Sequence, residues 1–274
     1  MEKLKKIVLT VGTTALSLMI VFALAGCESE ETKTAKENFN NEVARVQADY
    51  DTLNAEIATA EELVITEDVP LDETLKPALE NTISDAKTVV FEAPKMPSSL
   101  EDINSATSEL KAMNYDAEIK ALKDAEKALT DSIEQMELVT NPSEAFVIER
   151  LQGVEGVGEI SAVTEDNDPN GKLGKAGGYT ATIYFTSPNV NQADVIGETV
   201  IEKGTDCGGA IEVYANANDA TQRETYLAAF DGGILSSGSH KVIGTVLVRT
   251  SDKLTASQQN ALEAAIIEAL TKLQ

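Results

Sequence analysis

Residues 39–64, FNNEVARVQADYDTLNAEIATAEELV, carry Phe39, Val43, Val46, Tyr50, Leu53, Ile57, Ala60 and Val64 at alternating steps of four and three. That repeat follows the 3.6-residue turn of an α-helix, so the apolar side chains share one face and the charged ones take the other. A helix of about 30 residues rises roughly 45 Å. Val69-Pro70 and the following Leu71-Asp72 end it, because proline supplies no backbone N–H and crowds the preceding turn. A one-sided stripe of that length needs other helices to cover it.

The chain downstream supplies them. A second helix is expected from Asp72 or Thr74, with Pro77 confined to its first turns and Leu75, Leu79, Ile83, Ala86 and Val90 facing inward, up to the stop at Pro94 and Pro97. Ser98-Ser99-Leu100-Glu101 reads as a capping box opening a third, which carries Ile103, Ala106, Leu110 and Met113. A fourth presents Tyr115, Ile119, Leu122, Leu129, Ile133 and Met136. Residues 39–139 are thus expected to form an antiparallel helical bundle with short joins.

At Thr140-Asn141-Pro142 the pattern changes to strands and glycine-rich turns, and residues 142–274 are expected to form a second domain. A short helix over 143–151 leads to a strand near 158–164. In residues 179–187, Thr180, Thr182 and Tyr184 alternate with Ala181, Ile183 and Phe185, the period of a two-faced strand. Residues 199–202 read as a short extended segment and 209–215 as another strand. Asn218 or Asp219 caps a helix with Tyr226, Leu227 and Phe230. Residues 241–250, KVIGTVLVRT, are the most β-branched run and the expected central strand, and Thr255 caps a last amphipathic helix. The fold class is therefore α+β: a helical bundle followed by a small mixed sheet with helices packed on it.

Two resemblances accompany this reading. LNAEIATAEELV, LKPALENTISDAKTVV and PSSLEDINSATSELKAM resemble the FIVAR and Ebh-type helical repeats of Gram-positive surface proteins, which implies a surface spacer or adhesin module, here in a single copy. TEDNDPNGKLGKAGGYTATIYF, GGAIEVYANANDATQRETYLAAF and GTVLVRTSDKLTASQQ resemble the C-terminal domain of a group of uncharacterised Gram-positive lipoproteins. That second likeness implies an α+β domain and brings no activity with it.

Residues 1–26 begin with Lys3, Lys5 and Lys6, continue through the apolar stretch Ile7 to Leu24 and end in Ala25-Gly26 before Cys27. This is the form of a bacterial lipoprotein signal peptide. Small residues fit a peptidase cleft, and the Cys27 thiol is the group that takes a thioether-linked lipid. An uncleaved N-terminal membrane helix is the competing interpretation. Two or more acyl chains anchor a protein stably. The expected location is therefore the extracytoplasmic face of the cell membrane, with residues 27–38 as a tether. The formal charge of −24 becomes more negative still without that lysine-rich signal. Such a charge repels phosphate backbones, so nucleic acid is not an expected partner. A surface protein or matrix ligand is. With no Trp and 4% aromatic residues, a broad sugar-stacking platform is not expected.

Chemistry-bearing residues are few. Asp166-Asn167-Asp168-Pro169-Asn170-Gly171 places oxygens at alternate positions before a glycine, as in the first half of a calcium loop, with Asp166, Asp168 and Asn170 as the ligands. The twelfth position is Gly177 rather than Glu, so a further carboxylate such as Glu165, Asp206 or Glu212 would have to join them, and a plain Asx/Pro/Gly turn is the simpler interpretation. No other cofactor is expected. Cys207, in a glycine-rich turn, has His240 as the one imidazole that could serve it as a base, yet it reads better as a small buried residue. Lys172 and Lys175 among Gly174, Gly177 and Gly178 suggest turn chemistry rather than a phosphate cradle. Arg223 and Arg249 are expected to close structural ion pairs in an acidic domain. The expectation is a non-enzymatic binding or scaffold module, the alternative a calcium-responsive domain acting through residues 165–178.

Overall fold

The computed structural model describes residues 29–233 and 238–274; the expected signal segment 1–26 and the expected lipidation residue Cys27 lie outside them. Among the described residues no helix is long and apolar enough to cross a membrane. Helix α1 spans Glu30–Val64, α2 Leu75–Lys87, α3 Leu100–Ala112 and α4 Asp116–Leu138. They are followed by α5 (Glu144–Leu151), β1 (Ile160–Ala162), β2 (Tyr179–Thr186), α6 (Val200–Lys203) and β3 (Gly208–Tyr214). Helix α7 (Ala217–Ala228), the hairpin β4 (His240–Ile243) and β5 (Val246–Thr250), and α8 (Ala256–Thr271) complete an α+β fold.

Two compact units emerge among the described residues, 29–47 with 93–113 and 48–92 with 114–233 and 238–274, so the composition change at 140–142 falls inside the second. In the first, Ala35, Phe39 and Val46 are buried on α1, and Ile103 and Leu110 on α3. Arg45 Nη2 donates to the carbonyls of Leu110 at 2.7 Å and Met113 at 3.2 Å, satisfying acceptors that the end of α3 leaves open. In the second, Leu79, Ile83 and Ala86 of α2 and Leu122, Leu129 and Ile133 of α4 are buried, together with Leu53, Ile57 and Ala60.

Several element ends differ from the sequence reading, each for a local reason. Residues 30–38, expected as tether, are helical: the Ser29 hydroxyl accepts from Thr32 N at 3.1 Å, and the buried stripe begins at Ala35. Helix α2 stops at Lys87, which leaves Val90 outside it and 69% exposed. The cap of α3 is Ser99 with Asp102, one position past the expected pair. Residues 200–203 are helical rather than extended, because Thr199 and Glu202 form a reciprocal capping box. Asn216, not Asn218 or Asp219, caps α7 and accepts from Asp219 N.

The sheet runs β1-β2-β3-β5-β4, and every pairing is antiparallel, which corrects the mixed arrangement. The expected central strand over 241–250 is the hairpin of β4 and β5, and β3 lies at the centre. Gly244 makes the hairpin at φ 54°, in the left-handed region; a Cβ there would lie 2.6 Å from the Val139 carbonyl oxygen. The same turn is bolted to the end of α4. Thr245 N donates to Val139 O at 2.9 Å, and Thr245 Oγ1 accepts from Asn141 N at 2.6 Å. Asn141 itself adopts φ 47° and takes a 3.0 Å bond from Thr180 Oγ1.

Candidate functional site

Side chains alternate across a strand, so β2, β3 and β5 present two faces. Ile183, Phe185, Ile211, Val213, Val246 and Val248 enter an apolar core shared with Val147, Leu262, Ile266 and Leu270 of α5 and α8. The opposite face is different in kind. Register pairs Thr182 with Glu212, Glu212 with Leu247, and Ala210 with both Tyr184 and Arg249, which places all of these on one side. Helix α7 covers part of that side through Ala220 and Leu227, packed with Tyr179, Tyr214 and Leu247.

Glu212 is fully buried there. Its Oε1 accepts from Arg249 Nη1 at 2.7 Å, and its Oε2 accepts from Tyr214 Oη at 2.7 Å and from Arg223 Nε at 3.2 Å. Burial alone would raise the carboxyl's pKa. The Arg249 and Arg223 guanidiniums and the Tyr214 hydroxyl outweigh that, holding Glu212 below the usual carboxylate range. The same burial, followed by the Glu212 charge, pushes the Tyr214 phenol up. One buried carboxylate therefore serves two guanidiniums. Arg223 lies over the ring of Tyr226, 5.4 Å from its centroid, which fixes its plane. Its two Nη groups make no hydrogen bond among the described residues.

The loop over 165–178 forms the facing wall, and Asp168 organises it. Oδ1 accepts from Asn170 N at 3.0 Å and from Tyr179 Oη; Oδ2 accepts from Lys172 N at 2.6 Å and Leu173 N at 2.8 Å. Desolvation pushes the Asp168 carboxyl up, but the Tyr179 hydroxyl and the three backbone N–H groups together lower it. Gly178 closes the loop where a Cβ would come within 2.0 Å of the Lys172 carbonyl oxygen. Between loop and helix lies a cleft of about 250 Å³. Asn170, Lys172 and Gly178 line it from the loop, Asp219, Gln222 and Arg223 from α7, and Tyr179 and Tyr214 from the sheet.

The sequence candidates fall on both sides of this picture. Asp168 and Asn170 are brought together, both at the Tyr179 hydroxyl, with Asn170 Nδ2 at 3.4 Å. Asp166 is exposed and makes no hydrogen bond or ion pair with them. Among the described residues no group of three or more His, Cys, Asp or Glu is placed to hold a metal ion. Cys207 is fully buried in the apolar core, its thiol 3.1 Å from Gly204 O and 3.4 Å from Phe185 O, and burial pushes it up to about 11. His240, on β4, meets Asp231 Oδ1 at 3.2 Å through Nε2, while its Nδ1 lies 3.3 Å from Glu224 Oε1. Cysteine and histidine thus sit on different elements, Cys207 in the turn before β3 and His240 on β4, with different partners. Arg223 and Arg249 do close structural ion pairs, and both do so on one carboxylate.

Glu212 as the hub escaped the sequence reading, which weighed it only as a spare calcium ligand. The available signal was its position in Ala210-Ile211-Glu212-Val213-Tyr214: a carboxylate inside an apolar strand needs cations from elsewhere. Comparison with family models, curated proteins and solved structures found no match for this chain.

Proposed function

We propose that this protein is a membrane-tethered binding module of the extracytoplasmic face. Lipid on Cys27 holds it at the membrane, and the cleft between α7 and the 165–178 loop takes the ligand. One observation carries the reading. The polar face of the sheet ends in a formed cleft whose walls are fixed by Asp168 on one side and Glu212 on the other. A wall held by four hydrogen bonds to one carboxylate is pre-organised, so a ligand entering it does not have to order the loop. The lipoprotein signal and the resemblance to surface helical repeats support the location.

Gln222 is exposed on α7 at the rim, so Gln222→Trp fills the cleft without disturbing the core. With the full chain in lipid nanodiscs and empty nanodiscs as blank, ligand-observed NMR of a panel of small charged and uncharged molecules is expected to give hits that Gln222→Trp removes. A panel with no hit sensitive to that substitution would defeat the binding reading. Loss of palmitate labelling and of membrane association in Cys27→Ser is the expected result for the anchor, and retention of both would defeat it.

A further inference from the structure

We infer that the ligand of this cleft is a small carboxylate, received by the Nη edge of Arg223 with Lys172 as a second cation; this rests on the cleft being the binding site. The charge count on the polar face comes first. Glu212 is the only carboxylate bonded to Arg223 and Arg249, so the pair brings one positive charge more than it meets among the described residues. Arg249 is buried, and the excess is therefore presented at the cleft by Arg223, whose side chain is 26% exposed. Lys172 adds a second charge from the facing loop, and its ammonium makes no ion pair among the described residues. Asp219 is the one anion of the lining, and its Oδ2 already accepts from Asn216 Nδ2 at 2.9 Å. Counted over the lining side chains, two cations face one anion, and Asp168 behind the loop wall already accepts four hydrogen bonds, so the cleft presents positive charge in a chain of formal charge −24. An anionic occupant accounts for it.

Geometry narrows the class. Arg223 commits Nε to Glu212, which leaves the two Nη groups as a planar end-on fork, and the fork's orientation is held by that bond and by Tyr226. Two parallel N–H donors match the two oxygens of a carboxylate. The cleft, at about 250 Å³, lies below the usual volume of sites for drug-sized ligands, so the occupant is of fragment size. Tyr179 and Tyr214 line the cleft from the sheet and give an apolar body a surface to lie against, while their hydroxyls are turned to Asp168 and Glu212.

The test uses benzoate, 4-hydroxyphenylacetate and hexanoate, each beside its uncharged primary amide, titrated against the full chain in nanodiscs with empty nanodiscs as blank. At least one carboxylate is expected to bind about tenfold or more tighter than its amide, a difference that Arg223→Gln removes and Lys172→Gln reduces by about threefold. Added salt is expected to weaken the carboxylates and leave the amides alone. Thermal unfolding of each variant checks that it folds, and Lys172→Gln, on an exposed loop, keeps the inference open to refutation if Arg223→Gln does not. Amides binding as well as their acids, or a preference untouched by either substitution, would overturn the carboxylate inference; if that binding still vanishes in Gln222→Trp, the binding module stands without it. No binding by any of the six sensitive to Gln222→Trp overturns the carboxylate inference, and the same null across the wider panel overturns the binding module as well.

Discussion

The two faces of the sheet are built from the same strands by opposite means. Ile211 and Val213 face the core with α5 and α8, where burial alone is favourable at roughly 25 cal/mol per Å² of apolar surface. Glu212, between them in sequence, faces α7 and is held by Tyr214, Arg223 and Arg249. A buried carboxylate with two guanidiniums loses about as much in desolvation as it recovers in attraction. The contrast teaches that the apolar face accounts for the stability of the domain. The polar face adds little net stability and is the place to look for function.

Unfolding energies can break that comparison. Glu212→Ala strands two cations and is expected to cost about 4 kcal/mol, while Ile211→Ala, one residue away, is expected to cost about 3 kcal/mol by leaving a cavity. Replacing Glu212, Arg223 and Arg249 together by leucine should regain most of the first loss, whereas no such rescue exists for the second. Urea unfolding of the three variants beside the parent chain decides it. A triple variant as unstable as Glu212→Ala would mean that the polar face contributes stability after all.

A smaller effect is expected at the loop. Asp168→Ala removes the acceptor for Asn170, Lys172, Leu173 and Tyr179 and should lower local stability by about 2 kcal/mol, read as faster hydrogen exchange at the Lys172 and Leu173 amides. Because those bonds already use both oxygens, calcium and chelator are expected to give the same Tm. A rise of several degrees in calcium that Asp166→Asn abolishes would restore the metal-responsive alternative.

The smallest effect sharpens the comparison by moving it to the helices. Glu126 on α4 lies beside Glu56 of α1, with one nearby cation, Lys123, 3.5 Å from Glu56 Oε2. Desolvation, followed by the Glu56 charge, pushes the Glu126 carboxyl up to about 7, the reverse of what two guanidiniums do to Glu212. The folded state then holds this proton more tightly than the unfolded chain, whose carboxyl titrates near 4.5. The contribution is complete below pH 4.5 and is lost as pH rises through 7. Glu126→Gln is expected to raise stability at pH 8 by on the order of 1 kcal/mol, allowing for solvent screening, and to leave it unchanged at pH 4. Equal Tm changes at both pH values would contradict the assignment.

Local pattern made most of the fold legible. The four-three stripe gave α1, the alternation of Ala181, Ile183 and Phe185 gave β2, and Thr255 announced α8. Where competing local signals met, the reading slipped. The β-branched run KVIGTVLVRT outweighed Gly244 as a turn, Thr199-Val200-Ile201 masked its own capping box, and Asn216, Asn218 and Asp219 all suit a helix start. The cleft was less legible because its partners meet only in three dimensions. Arg223 and Arg249 stand 11 and 37 positions from Glu212, a spacing that no local periodicity encodes.

The seam at Thr140-Asn141-Pro142 shows how little a change of composition says about modularity. Asn141 holds Thr245 through its backbone and Thr180 through its side chain, and Val139 completes the β4–β5 turn. A recombination event cutting the gene there would leave the sheet without the acceptor for Thr245 N and the donor to its hydroxyl. The heritable unit is the sheet together with the last turn of α4, and exchange of this domain between proteins is expected to carry Val139 to Asn141 along with it.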